Sequence, residues 1–377
     1  MKSNAILTFH NAHNNGSMLQ ACALQYILKT KFDDNFDIID FSNAAQRNMY
    51  SPFPKMTNYK KVIKNCIWWF VRKQLRDQFN DFECFKNTYM HLSENKYFRD
   101  SELASIGKIY DKVIAGSDQV WNIKCLDADD AYYLDFSNNI RKFAYSVSFG
   151  ANNPFTVSED PDHYRKLLDN FEMISVREHN AQKWISSGTG KIVPVTLDPT
   201  VLLTSDEWES FVDIGDPIIK EDYIFYYCFS INSKVKKFLQ WLSKEKNMPV
   251  YFMDVKEWQL KMCWLNGIKL VNKFGPISYL NLVKNASYFV TTSFHGTAFA
   301  TIFRKRFWYI DSGNNDPSKD DRAISFLTQL GLMDRYQTIE QLKRINLDTF
   351  PNYDTVYSKL DVFKEQSFRY LSDIVKA

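Results

Sequence analysis

The sequence predicts an α/β protein built as two βα domains, joined near residue 215, with a cleft between them. Three observations predict it. At 377 residues and 44.4 kDa the chain is too long for one comfortable core. Short β-rich apolar runs alternate with amphipathic helical stretches, the pattern of parallel βα units. That alternation stops at Asp213-Ile214-Gly215-Asp216-Pro217, a linker-like stretch, and then begins again.

In chain order, Ala5-Ile6-Leu7-Thr8-Phe9 reads as the first strand. The polar turn His13-Asn14-Asn15-Gly16-Ser17 then leads into a helix over 18–31. Further strands are expected at 36–40, 110–115, 143–149, 172–176 and 192–197. Thr204-Ser205-Asp206-Glu207-Trp208 has the form of a capped helix start. After the linker, strands are expected at 222–229, 249–254, 287–292 and 307–310. Helices are expected at 233–244, 277–285, 296–304, 321–330, 338–345 and 355–376. The domains are therefore 1–212 and 218–352, with a C-terminal helix in 353–377 packing back on the first domain.

Composition narrows the function. Forty-seven basic against 44 acidic residues leave a net charge of +3, too weak a field to argue for nucleic acid. Aromatics make up 16% of the chain; they suit sugar rings, and a compositional bias explains them as well. Six cysteines without a C-x-x-C pair suggest neither zinc nor a disulfide framework, and no run approaches 18 apolar residues. A cytoplasmic protein with reduced thiols is expected. Residues 60–76 stand apart, with six basic residues and no acidic one. As one helix they place Val62, Ile63, Cys66, Ile67, Trp69 and Phe70 on one face and most of the basic residues opposite. Such a helix suits peripheral contact with the inner face of the cytoplasmic membrane. The competing account turns its apolar face, Trp69 and Phe70 included, into the core.

Ligands of open α/β sheets bind beyond the carboxyl ends of the strands, near helix N-termini. Four polar clusters fall there: Asn14-Asn15-Gly16-Ser17, Gly116-Ser117-Asp118-Gln119, Arg177-Glu178 and Ser293-Phe294-His295-Gly296-Thr297. In the last, a histidine sits between a buried strand and an apolar helix, placed to bind an anion or transfer a proton; a helix-capping histidine without chemistry fits the position equally. The Arg177 guanidinium suits bidentate recognition of carboxylate or phosphate, or else a surface ion pair. Asp127, Asp129 and Asp130 read as a solvated turn rather than a metal motif, and no metal or cofactor is expected. P-loop, G-x-S-x-G and G-x-G-x-x-G patterns are absent.

Several stretches together resemble the polysaccharide pyruvyl transferase family. They are residues 14–21 (Asn14 to Ala21), 116–122 (Gly116 to Asn122), 143–150 (Phe143 to Gly150), 174–178 (Ile174 to Glu178), Leu197-Asp198-Pro199-Thr200 and 293–297. Arg322 with Leu330-Gly331-Leu332 resembles the closing segment. The likeness runs over roughly residues 5–335, and its specificity lies in the ordered co-occurrence of these stretches.

The resemblance implies two Rossmann-like domains facing across a cleft, as in GT-B glycosyltransferases. It also implies an enzyme that uses phosphoenolpyruvate to form a pyruvate ketal on a sugar of a bacterial capsular or exopolysaccharide repeat unit, carried on a lipid. Residues matching Arg177 and His295 would hold the catalytic roles. Asn14, Asn15, Gly16, Ser17, Gly116, Ser117, Asp118, Gln119, Ser293, Gly296, Thr297 and Arg322 would bind donor or acceptor. Many members carry a basic residue where this chain has Ser293, so that donor contact is either missing here or supplied elsewhere, by Arg304, Arg306 or Arg322. Two alternatives stay open: a GT-B glycosyltransferase using a nucleotide sugar, and a non-catalytic saccharide-binding component of the assembly machinery.

Overall fold

The computed structural model describes residues 3–55, 59–136, 139–228, 230–311 and 322–377, with the side chains of residues 59–61 outside that description. Its strands form two parallel six-stranded sheets. The first contains β1 (Ser3–Leu7), β2 (Phe36–Phe41), β3 (Leu92–Tyr97), β4 (Tyr110–Ala115), β5 (Arg141–Val147) and β6 (Met173–Val176), in the order β3-β2-β1-β4-β5-β6. The second contains β7 (Ile224–Tyr227), β8 (Val250–Phe252), β9 (Ile268–Leu270), β10 (Tyr288–Thr291), β11 (Phe307–Asp311) and β12 (Tyr336–Thr338), in the order β12-β11-β10-β7-β8-β9. Taken from the opposite edge, the second order repeats the first. Both are doubly wound Rossmann-like sheets, and each reverses its strand order between its first and fourth strands. Inner strands such as β7 and β10 are buried throughout, as strands covered on both faces must be.

A continuous apolar core joins the sheets, running from Leu24 and Trp208 to Phe289 and Phe299. The Trp208 and Phe299 rings meet edge to face at 5.4 Å. The C-terminal helix Tyr353–Lys376 spans the same junction. Near its start the Tyr357 hydroxyl donates to the Ile302 carbonyl (2.8 Å), and near its end the Tyr370 hydroxyl donates to Ala144 (3.2 Å). At its last turn the buried Lys112 ammonium, from β4, donates to the carbonyls of Ile374 and Val375, both at 2.8 Å. A cation there answers the negative end of the helix dipole.

Several sequence expectations need correction. Residues 192–197 form no strand, only a bridge from Val176 to Val195, because Pro194 has no N–H for a ladder. The edge strands β3, β9 and β12 were not expected. The first helix begins at Asn15, three residues early, capped by the Asn14 side chain. The 338–345 helix is reduced to Ile339–Leu342. Residues 60–76 are two helices, Tyr59–Trp68 and Arg72–Tyr89, joined by a 3-10 turn at Trp69–Val71. The turn rotates the faces, so that Asn65, Trp68, Val71 and Leu75 are buried while Val62, Ile63, Trp69 and Phe70 are exposed. The account that placed Trp69 and Phe70 in the core is overturned.

Candidate active site

The carboxyl ends of the switch-point strands meet around a cavity of about 520 Å³. Asn14, Ser17, Asp118, Gln119, Ser293, His295 and Arg322 line it. The remaining expected site residues lie behind or beside this wall. Asn15 lines an adjoining cavity of about 310 Å³ that shares Asn14, Met49 and Tyr50 with the first.

His295 is placed by its own helix. After β10 the chain turns into the Phe294–Ile302 helix, whose N-cap Ser293 accepts from the Gly296 N–H. Gly296 is required because a Cβ would lie 2.2 Å from Thr291 Oγ1. The Tyr279 hydroxyl donates to the His295 carbonyl (3.2 Å), and Thr297 Oγ1 donates to the Ser293 carbonyl (3.2 Å). The imidazole lies on Gly16 of the other domain, where a Cβ would fall 2.1 Å from Nδ1. Its Nε2 is 3.4 Å from Asp198 Oδ2, an ion-pair distance without hydrogen-bond alignment.

Beneath the histidine is a buried ionic network. Arg177 follows β6 and donates through Nη1 to Asp198 Oδ2 (2.7 Å), while its Nη2 lies 3.4 Å from Asp118 Oδ1. Its guanidinium lies over the Phe294 ring at 4.5 Å. Ser17 Oγ donates to Asp118 Oδ2 (2.5 Å), and Ser117 Oγ bonds the Ser146 carbonyl (2.7 Å) and Asp198 Oδ2 (3.3 Å). Gly116 admits the close approach of Tyr145, whose carbonyl would be 2.5 Å from a Cβ. Burial opposes the charge on Asp198, but His295 and Arg177 outweigh it and hold the carboxyl well below its usual range. Asp118 is lowered likewise, by Arg177, His295 and the Ser17 hydroxyl acting against burial.

Asp198 stands in a family-like stretch with no role legible in the sequence, although the acid preceding Pro199-Thr200 is what joins Arg177 to His295. Tyr50, Lys261 and Tyr309 also line the cavity, from segments without a distinctive local pattern in the sequence. Asp127 is no solvated turn: it is buried in the cavity wall, accepts from Gln46 Nε2 (3.0 Å), and burial raises its carboxyl. Asp129 caps a 3-10 turn and Asp130 pairs with His163. Of the three arginines considered in place of Ser293, only Arg322 lines the cavity. Arg304 stacks on Tyr357, and Arg306 lies over Tyr288 and Phe350.

A model of the polysaccharide pyruvyl transferase family matches residues 14–314. The chain belongs to this family. The fold of this transferase is also seen in solved structures of low sequence likeness. The S. aureus MnaA–UDP co-structure is 10% identical over 96% of this chain and 91% of that one, with a TM-score of 0.54. The UDP-GlcNAc 2-epimerase of Methanocaldococcus jannaschii is 13% identical over 97% and 93%, with a TM-score of 0.51. These likenesses establish the two-domain, GT-B-like fold. No curated protein sequence matches the chain.

Proposed function

We propose that the transferase takes pyruvate from phosphoenolpyruvate and closes it as a ketal across two hydroxyls of a sugar. The acceptor is a lipid-linked precursor of a capsular or exopolysaccharide. In this reading a proton is added to C3 of the enol, which becomes the methyl group. One sugar hydroxyl bonds to C2 and loses its proton, and the C2–O bond to phosphate breaks. The second hydroxyl then bonds to C2, loses its proton, and phosphate is the other product.

The observation that carries the reading is His295. Its imidazole faces the cavity from a helix N-terminus, seated on Gly16 and backed by the Asp198 carboxylate. Such a group can give a proton at C3 or take one from a hydroxyl, with the carboxylate stabilising its charged form. Arg322 and Lys261 supply cations to the cavity wall for the donor's carboxylate and phosphate. Arg177 is engaged by Asp198 and Asp118, and we assign it to positioning the acid pair rather than to holding the donor. The reaction as drawn needs no metal.

The test is phosphate release from phosphoenolpyruvate with a saccharide acceptor, repeated with chelator present. Release that depends on acceptor and survives chelation supports the reading. Binding of a nucleotide diphosphate with no phosphoenolpyruvate turnover would replace it with glycosyl transfer.

A further inference from the structure

Beside the cavity, both domains expose apolar side chains of a kind proteins ordinarily bury. From the first domain, Ile63 (55% exposed), Trp69 (57%) and Phe70 (79%) stand out, with Val62 beside them. From the second, Met262, Trp264 and Leu265 (68% exposed) project from a 3-10 turn. These groups are neighbours. The helix Val255–Leu260, which leads into that turn, packs against both Tyr59–Trp68 and Arg72–Tyr89. Trp68 Nε1 donates to the Lys256 carbonyl (3.3 Å), and Lys73, Gln74 and Trp264 line one shared depression.

The charge around them is mainly positive, with Asp77 and Glu221 lining the shared depression beside Lys73 and Lys220. From residue 41 to residue 76 the chain has eight basic residues and no acidic one. Lys64, Arg72, Lys73 and Arg76 are exposed, and Arg72 lies over the Trp69 ring at 4.5 Å. Lys261, exposed before the second turn, also lines the active-site cavity. Exposed Trp and Phe flanked by Lys and Arg are complementary to a surface that is apolar within and negative at its boundary.

We propose that this two-domain face seats the protein on an anionic lipid bilayer, with Trp69, Phe70, Trp264 and Leu265 entering the headgroup region and the lysines and arginines meeting lipid phosphates. The adjoining 310 Å³ cavity is lined by Leu75, Phe79 and Phe82 of the Arg72–Tyr89 helix and by Lys256, and it shares Asn14, Met49 and Tyr50 with the cavity that His295 lines. The lipid-linked acceptor belongs to the functional reading above. The bilayer contact rests on the exposed face and holds whichever reaction the cavity performs.

The experiment is co-sedimentation of the whole chain with vesicles of phosphatidylcholine alone or of phosphatidylcholine with 30% phosphatidylglycerol. The wild type is expected to bind the anionic vesicles and to be released by salt. Lys64→Glu/Arg72→Glu/Lys73→Glu should weaken binding by about 100-fold or more, at roughly a factor of five per removed charge. Trp69→Ser/Phe70→Ser should weaken it about tenfold or more even at low salt. Both variants should keep the wild-type melting temperature, because the altered side chains are exposed. Absent binding, or equal binding to neutral vesicles, overturns the proposal. So does a wild-type dimer in light scattering that Trp69→Ser/Phe70→Ser converts to monomer, since a second copy then covers the face. Phosphate release with a water-soluble acceptor, unchanged in both variants, shows that lost vesicle binding is no failure of the chemistry.

Discussion

Strands β4 and β10 hold the same place in their two sheets, yet they deliver opposite chemistry to the cavity. After β4 the chain makes a turn that presents Asp118 in the left-handed region (φ 76°), its carboxylate held by Ser17 and Arg177. After β10 it enters a capped helix that presents His295. The same strand order thus brings a carboxylate from one half and an imidazole from the other, and the difference lies in the loops that follow the strands. Two strands away, across β1 and β7, the contrast recurs. Asp40 in β2 is buried, yet His10 and Asn11 lower its carboxyl; Asp254, just past β8, accepts from the Glu257 N–H but has no side-chain hydrogen bond among the described residues, and burial pushes it up to about 6.

The histidine side is the one whose loss should matter most. His295→Ala is expected to lower kcat by roughly 10²–10⁴-fold while leaving the melting temperature close to wild type. Turnover near wild type would remove the imidazole from the mechanism.

The acid side should fail by stability. Arg177→Met leaves Asp118 and Asp198 buried with less compensation, at a cost of about 3–5 kcal/mol. Both carboxyls titrate below their ordinary 3.8 in the fold. The network's contribution is therefore complete above that pH and drains away as pH falls through the lowered values. Melting temperature against pH should drop steeply below about 4 in the wild type and much less in Arg177→Met. If Arg177→Lys weakens only donor affinity and the melting curves coincide, the arginine is a donor ligand instead.

The seat that joins the two sides can be tested alone. Gly16→Ala puts a methyl where Nδ1 of His295 now lies, and moving the imidazole by about 1 Å should cost about 10²-fold in kcat. Undiminished activity would show that the position of this ring is not critical.

The smallest effect concerns Asp254. Its folded carboxyl holds a proton more tightly than the unfolded one, so the wild type loses stability as pH rises from about 4 to about 6. Asp254→Asn keeps the cap on the Glu257 N–H without a charge to bury. It should stabilise by about 2 kcal/mol at pH 8 and by almost nothing at pH 4. Equal stability at both pH values would mean that Asp254 finds a partner as Asp40 does.

How legible each half was follows from the same physics. Inner strands such as β4, β7 and β10 announce themselves because burial on two faces demands an apolar run. The edge strands β9 and β12 are three residues long, and β3 reads Leu-Ser-Glu-Asn-Lys-Tyr with its middle exposed, so composition carries no signal there. His295 was visible because a histidine between a buried strand and an apolar helix stands out. Asp198 was not, since its importance comes from meeting Arg177 and His295 in space, 21 and 97 residues away along the chain. The 60–76 segment misled for another reason. One uninterrupted helical wheel assigns its faces incorrectly once a 3-10 turn shifts the register at Trp69.

Lys112 sets an order of events during synthesis. It lies in the middle of the first sheet's sequence, but the carbonyls that receive its ammonium belong to Ile374 and Val375, 262 and 263 residues later. A ribosome that has made the whole first domain has therefore made a sheet with a cation waiting in an unfinished seat. Burying that ammonium without acceptors is unfavourable, so this part of the domain stays open to water until the final helix emerges. A domain translated early is thus completed only when the Tyr353–Lys376 helix arrives, and nascent chains halted before residue 374 should be caught by proteases at β4 while chains that carry the helix are not.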